Sequence, residues 1–358
     1  MVVLRDALAK LPAYTPGRTV PGAVKLASNE MPYPPLPSVA EAIASLVSAE
    51  QTTGFNRYPD NAAVALSEAL AAHVGAEVAN IAVGCGSVAL CQQLIQVTCD
   101  DGDEVLFPWR SFEAYPIVTT VVGAVPVTVP VGADHRLDLG ALAAAITERT
   151  RLVFVCTPNN PTSTVVTDAE LTAFLDAVPE RVLVVVDEAY VEFVRDPSAA
   201  KGVAAALSRP NVVSIRTLSK AYGLAGLRVG YAVGSAGIIA AIRKVGLPFA
   251  VNDLAQVAAV AALSDAALPE LEKRLAIVLS ERSRVLSALR EAGYGVPESQ
   301  SNFVWLPLRE RAAEFASHCE AGGVIVRPFA DATGGVRVTI GLPAGNDAFL
   351  AAARSFNL

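Results

Sequence analysis

Residues 216 to 231 read Arg-Thr-Leu-Ser-Lys-Ala-Tyr-Gly-Leu-Ala-Gly-Leu-Arg-Val-Gly-Tyr. They follow the run Asn211-Val212-Val213-Ser214-Ile215, whose apolar character reads as a buried strand. Lys220 therefore stands just beyond a strand end, among hydroxyls, glycines and an arginine, a poor place for a structural lysine. Held in a partly desolvated pocket, a lysine loses proton affinity, and its free amine can condense with an aldehyde. Thr217, Ser219 and Arg228 add two hydroxyls and a guanidinium fork, a set suited to a phosphate monoester. For this stretch by itself, the alternative is a surface lysine beside a glycine-rich turn.

Upstream, Asn80-Ile81-Ala82-Val83 reads as a strand that runs into Gly84-Cys85-Gly86-Ser87, and Val88 to Val97 reads as a helix. A glycine turn between strand and helix presents free backbone N–H groups and the positive end of the helix dipole to an anion. Gly84 to Ala89 also matches the dinucleotide pattern G-x-G-x-x-A. The carboxylate that would bind a ribose belongs at the end of the next strand, about twenty residues past the glycines. Asp100, Asp101 and Asp103 instead precede that strand, Glu104 to Phe107. Gly86 and Ser87 are therefore assigned to the phosphate of the molecule that Lys220 holds.

Alternation continues through strands at 126–129, 152–156 and 182–186 and helices at 137–146 and 168–177, the last capped by Thr167. This spacing indicates a mainly parallel sheet covered by helices, with sites at the strand C-terminal ends. Asp187-Glu188-Ala189-Tyr190 follows five apolar residues, Val182 to Val186. An aspartate there carries a desolvation penalty unless it is paired; a helix cap or salt bridge is the alternative to a ligand.

One small molecule that carries both an aldehyde and a phosphate is pyridoxal phosphate, and its protonated pyridine nitrogen is a partner for Asp187. The stretch around Lys220 resembles the cofactor-lysine motif of fold-type I aminotransferases. It is most similar to the branch that holds histidinol-phosphate and aromatic amino acid aminotransferases, and the likeness runs from Asn29 to Arg337. The resemblance implies an α/β fold-type I enzyme: a large cofactor-binding domain at 33–250, a smaller α+β domain at 251–358, and an arm at 1–32 packed with the small domain and the active site. It implies a homodimer with shared active sites. Lys220 would be the catalytic base, with Asp187 and Tyr190 beside it. Thr157-Pro158-Asn159-Asn160-Pro161-Thr162 is similar to the family's Asn-Pro-Thr-Gly loop, with Ser163 in place of glycine, so Asn160 would donate to the cofactor's phenolate oxygen. Tyr190 would reach the same oxygen, and Phe112 would stack on the ring. Tyr58, in the loop Gly54 to Asp60, would reach the phosphate held by the neighbouring subunit; local packing under its own loop is the alternative. Arg337, a charge inside the apolar strand 336–340, would bind the substrate α-carboxylate. Arg327 resembles an arginine that histidinol-phosphate enzymes direct at the substrate phosphate, with a surface salt bridge as the alternative. Tyr33 closes Ala27-Ser28-Asn29-Glu30-Met31-Pro32-Tyr33, similar to the family segment that lies across the active site, and is taken as substrate-binding. Trp109 to Ile117 looks more like the aromatic enzymes, which implies transfer between aromatic L-amino acids and 2-oxoglutarate; histidinol-phosphate aminotransfer is the alternative.

Composition agrees with a large folded enzyme. The 358 residues are 53% hydrophobic and 18% charged, and the net charge of −7 has no basic block, which argues against nucleic acid and anionic membrane as partners. Five cysteines (Cys85, Cys91, Cys99, Cys156, Cys319) are scattered without metal-site spacing and read as reduced thiols of a cytoplasmic protein. His73, His135 and His318 are far apart, so no metal is expected. Residues 1–36 are proline-rich (Pro12, Pro16, Pro21, Pro32, Pro34, Pro35) and read as extended; Arg5, Asp6 and Lys10 without an apolar run argue against a signal peptide.

Overall fold

The computed structural model describes residues 2–9, 11, 17–48, 56–329 and 333–358. Lys10, Pro12, Pro16, Gly54 and Phe55 lie outside them. The strands are β1 (Val24–Lys25), β2 (Ile81–Cys85), β3 (Glu104–Trp109), β4 (Val125–Pro130), β5 (Thr150–Cys156), β6 (Leu183–Asp187), β7 (Val212–Thr217), β8 (Val229–Gly234), β9 (Phe303–Leu306), β10 (Val324–Ile325), β11 (Arg327–Phe329) and β12 (Gly335–Thr339).

Seven of them form one sheet in the order β2-β8-β7-β6-β5-β3-β4. Strands β4, β3, β5, β6 and β7 run parallel, and β8 is antiparallel to both β7 and β2. Cys156, Asp187 and Thr217, the last residues of β5, β6 and β7, therefore reach one edge of the sheet. The reversal of β8 brings its first residue, Val229, opposite Cys85 at the end of β2. The glycine turn after β2 thus meets the lysine stretch at the same edge.

Both faces of the sheet are covered, which is why its central strands are apolar runs rather than alternating ones. Leu152 and Phe154 of β5 and Leu183 and Val185 of β6 share a cluster with Leu90, Leu94 and Tyr115 from helices Ser87–Thr98 and Ala114–Val122. The intervening Val153, Val155, Val184 and Val186 pack instead with Leu171 and Phe174 of helix Asp168–Ala177. That helix starts as expected: Thr167 Oγ1 accepts from Glu170 N at 3.2 Å, and Glu170 reaches back to Thr167 N at 2.7 Å.

The C-terminal residues form a three-stranded antiparallel sheet, β11-β12-β9, behind the 24-residue helix Leu268–Glu291. The N-terminal segment joins this lobe: β1 pairs in parallel with β10, and Leu26, Ala27 and Asn29 are buried. A short strand and the four-residue helix Asp6–Ala9 interrupt an arm expected to be merely extended. Helix Gly202–Ser208 and strand β11 were likewise not expected. The last helix, Pro343–Ser355, opens with proline in its first turn.

Candidate active site

A cavity of about 460 Å³ opens at the C-terminal edge of the large sheet, between it and the N-terminal and C-terminal segments. Lys220 lies on its wall, held by the turn that leaves β7, and its Nζ donates to the Ser28 carbonyl at 3.2 Å. Burial, with further contributions from Arg337 and Arg228, lowers the amine to about 7. A neutral amine is thus available near neutral pH, as nucleophilic and base chemistry require.

One corner of the cavity is built for an anion. Gly86, at φ 75°, ends the turn and precedes helix Ser87–Thr98, whose first N–H groups have no partner within the helix. Ser87, Ser219 and Arg228 line the cavity here. Arg228 adopts the left-handed conformation, φ 59°, and its Nη1 donates to Ser219 Oγ at 3.3 Å. Thr217 supports Ser219 through a hydroxyl contact of 2.9 Å. A Cβ on Gly86 would strike the Arg228 guanidinium, and one on Gly230 would strike the Ser87 backbone, so both glycines permit this close approach.

Asp187 is only 2% exposed. Burial raises its carboxyl to about 6, against the hydrogen bonds from Tyr115 (2.7 Å) and Ala189 N (3.2 Å). Tyr190, whose phenol is pushed upward by burial, accepts from Asn29 Nδ2 at 2.9 Å. Its own proton remains available for donation. Asn160 uses its carbonyl oxygen to accept from Arg337 Nη1 at 2.6 Å, while Arg337 Nη2 donates to the Ala27 carbonyl at 2.8 Å. Phe112 forms part of the wall, edge-on to Tyr115 with ring centres 5.5 Å apart. Arg327 pairs with Glu113 at 2.9 Å, and both line the cavity, so this ion pair lies in the site and not on the outer surface.

Two of the named residues do not line this chain's cavity, which for Tyr58 agrees with its expected place at the neighbouring subunit's phosphate. Tyr33 packs beneath the guanidinium of Arg274, 5.2 Å from its ring centre, and does not line the cavity. Its neighbours Ser28, Asn29 and Glu30 do. Tyr58 is 81% exposed and stacks on Phe249 at 4.6 Å, away from its own chain's cavity. Cys85 is exposed at the glycine turn, whereas Cys91, Cys156 and Cys319 are buried. Glu188, the neighbour of Asp187, accepts from Ser214 Oγ (2.6 Å), Arg216 Nε (3.0 Å) and Gly202 N (2.9 Å) and is thereby tied into the fold.

The donor set fits pyridoxal phosphate: an anion corner, a buried carboxylate that needs a cation, a low-pKa lysine and an aromatic wall share one cavity. The chain matches the family model "Aminotransferase class I and II" over residues 21–353.

The chain belongs to the class I and II aminotransferases.

Curated relatives of this aminotransferase include "Aromatic amino acid aminotransferase" from Rhodococcus jostii, 58% identical over 98% of this chain and 95% of the relative. A protein of the same name from Mycobacteroides abscessus is 58% identical over 99% of each chain. Among solved structures, histidinol-phosphate aminotransferase from Sinorhizobium meliloti, in complex with pyridoxal-5'-phosphate, superposes with a TM-score of 0.87 at 29% identity, over 98% of this chain and 96% of that one.

Three residues of the aminotransferase site escaped the sequence reading. Asn29 stands inside the segment Ala27 to Tyr33, and nothing local ties it to Tyr190. Glu113 had no visible partner, because Arg327 is remote in sequence. For Tyr115 a signal existed: Asp187 continues the face of Leu183 and Val185, the face that helix Ala114–Val122 covers.

Proposed function

We propose that this chain is a pyridoxal-phosphate-dependent aminotransferase that moves the amino group between aromatic L-amino acids and a 2-oxo acid, 2-oxoglutarate, as a cytoplasmic homodimer. The carrying observation is that Lys220 and Asp187, both shifted toward neutrality by burial, face one cavity beside the Ser87, Ser219 and Arg228 corner. The bound cofactor supplies an electron sink for cleavage of the substrate Cα–H bond. Ser87, Ser219, Thr217 and Arg228 hold its phosphate, with Gly86 giving the backbone room. Phe112 would cover its ring, Asp187 would hold the proton on its ring nitrogen, and Asn160 and Tyr190 would donate to its phenolate oxygen. Arg337 holds the substrate α-carboxylate in two-pronged fashion, aligned by Asn160 and the Ala27 carbonyl. Lys220 Nζ would take the substrate Cα proton as general base and hold it for return as general acid.

The aromatic reading draws on the names of the relatives and on the wall. Phe112, Ile117 and Val118 offer an apolar surface, and Glu113 neutralises Arg327. Histidinol phosphate remains the second reading, because Arg327 stands in the cavity and could receive a phosphate if Glu113 yielded. A domain division near residue 250 and a partner-subunit role for the exposed Tyr58 belong to the same proposal. Among the described residues no helix is long and apolar enough to cross a membrane. The test is kcat/KM for phenylalanine, tyrosine, tryptophan and histidinol phosphate with 2-oxoglutarate as acceptor. Higher values for the aromatic donors are expected, and a higher value for histidinol phosphate would overturn the aromatic assignment.

A further inference from the structure

We infer that Tyr115 is a positioning residue of this reaction: its phenol donates to Asp187 Oδ2 at 2.7 Å and so keeps the acidic proton on the cofactor's ring nitrogen and off Asp187. The inference rests on the pyridoxal-phosphate reading. Tyr115 does not line the cavity; it acts from behind the wall. It is fully buried, stacked on Phe154 (ring centres 4.2 Å apart, planes at 8°) and flanked by Phe107 at 5.8 Å and Phe112 at 5.5 Å. The phenol is thus held in one place by packing that does not depend on its hydroxyl.

The groups that face Asp187 make that hydroxyl decisive. Cys91 comes from helix Ser87–Thr98, Cys156 from β5, Tyr190 and Glu188 from the turn after β6, and Lys220 from the turn after β7. The hydrogen bonds that Asp187 accepts come from Tyr115 and from Ala189 N. Burial favours the protonated carboxyl, and the Tyr115 bond is the largest influence in the other direction. Without it, Asp187 binds a proton more strongly and competes with the ring nitrogen for the single proton they share. Transfer of that proton to the carboxylate leaves a neutral ring, a weaker electron sink.

Tyr115→Phe removes only the hydroxyl. In the cofactor-free variant, infrared difference titration of the Asp187 carboxyl, assigned with Asp187→Asn, is expected to show protonation persisting to higher pH than in the parent. In the loaded enzyme kcat is expected to fall about tenfold to a hundredfold, the size of one hydrogen bond to a charged group, with KM changed by less than about twofold. Replacement of Tyr115 by 3,5-difluorotyrosine, a stronger donor of nearly the same shape, is expected to move the carboxyl titration the opposite way, and it keeps the test valid if Tyr115→Phe folds poorly. Unmoved Asp187 titration in the variants, with a parent that binds pyridoxal phosphate and turns over, would overturn this inference alone. A parent that does not bind pyridoxal phosphate would overturn the functional reading beneath it.

Discussion

Lys220 is held near neutrality by burial and by two arginines, and this has two measurable consequences. Lys220→Ala is expected to lower amino transfer by roughly a thousandfold or more, since a positioned acid–base group and its attachment point are both lost. Circular dichroism should stay unchanged; retained turnover in this variant would contradict the mechanism. The second consequence concerns pH. Folded Lys220 binds its proton below about 7, whereas the unfolded chain binds it up to the ordinary lysine value of roughly 10.4. Between those values the unfolded state carries the extra proton, so this group's contribution to stability rises with pH across that window. Urea unfolding of the cofactor-free protein at pH 7 and pH 9, parent against Lys220→Met, should show that rise in the parent and a smaller one in the variant. Lys220 was legible because a lysine among glycines and hydroxyls needs an unusual reason. The bond from Tyr115 to Asp187 was harder to read: its sign is only the strand face that Asp187 shares with Leu183 and Val185, and a buried tyrosine in an aromatic cluster already has ample reason to be there.

At the scale of elements, the site depends on the close meeting of the turn after β2 with β8. Gly230→Ala would drive a methyl into the Ser87 backbone and displace the helix N-terminus proposed to receive the phosphate. Weaker retention of pyridoxal phosphate is expected, measured by dialysis and absorbance, with a lesser effect on the cofactor-free fold. The arm makes a second such meeting. Asn29 has φ 55° and ties Tyr190 to Thr339 through bonds of 2.9 and 3.1 Å. Asn29→Ala loses both and places a less tolerant residue in the left-handed region, so about 1–3 kcal/mol of stability should go. The parallel core strands were legible as unbroken apolar runs, and helix Asp168–Ala177 from its cap. Strand β1 was not, since two residues among prolines carry no period, and its pairing with β10 is remote in sequence. Helix Gly202–Ser208 is too short for periodicity to declare it.

For the whole molecule, one chain gathers the residues around Lys220 but leaves Tyr58 exposed on Phe249, consistent with the proposal that Tyr58 serves a partner's phosphate site. Light scattering should then report a dimer. Hybrids refolded from Lys220→Ala and Tyr58→Phe chains should contain one intact site each and exceed the mean activity of the two parents; activity at that mean would place Tyr58 outside the shared site. The placement of Tyr58 and Tyr33 came from family likeness, and local residues could not decide it, because an aromatic in a loop packs equally well on its own chain. The sheet and its site-bearing edge followed from apolar runs that end on a polar residue, as β6 does at Asp187. The most direct test of the account is a single half-reaction. The purified, cofactor-loaded protein is mixed with phenylalanine in the absence of any oxo acid, and the visible band of the lysine-bound cofactor is followed. The account predicts stoichiometric loss of that band with release of phenylpyruvate, faster than with histidinol phosphate at equal concentration; a band that persists with phenylalanine would contradict it.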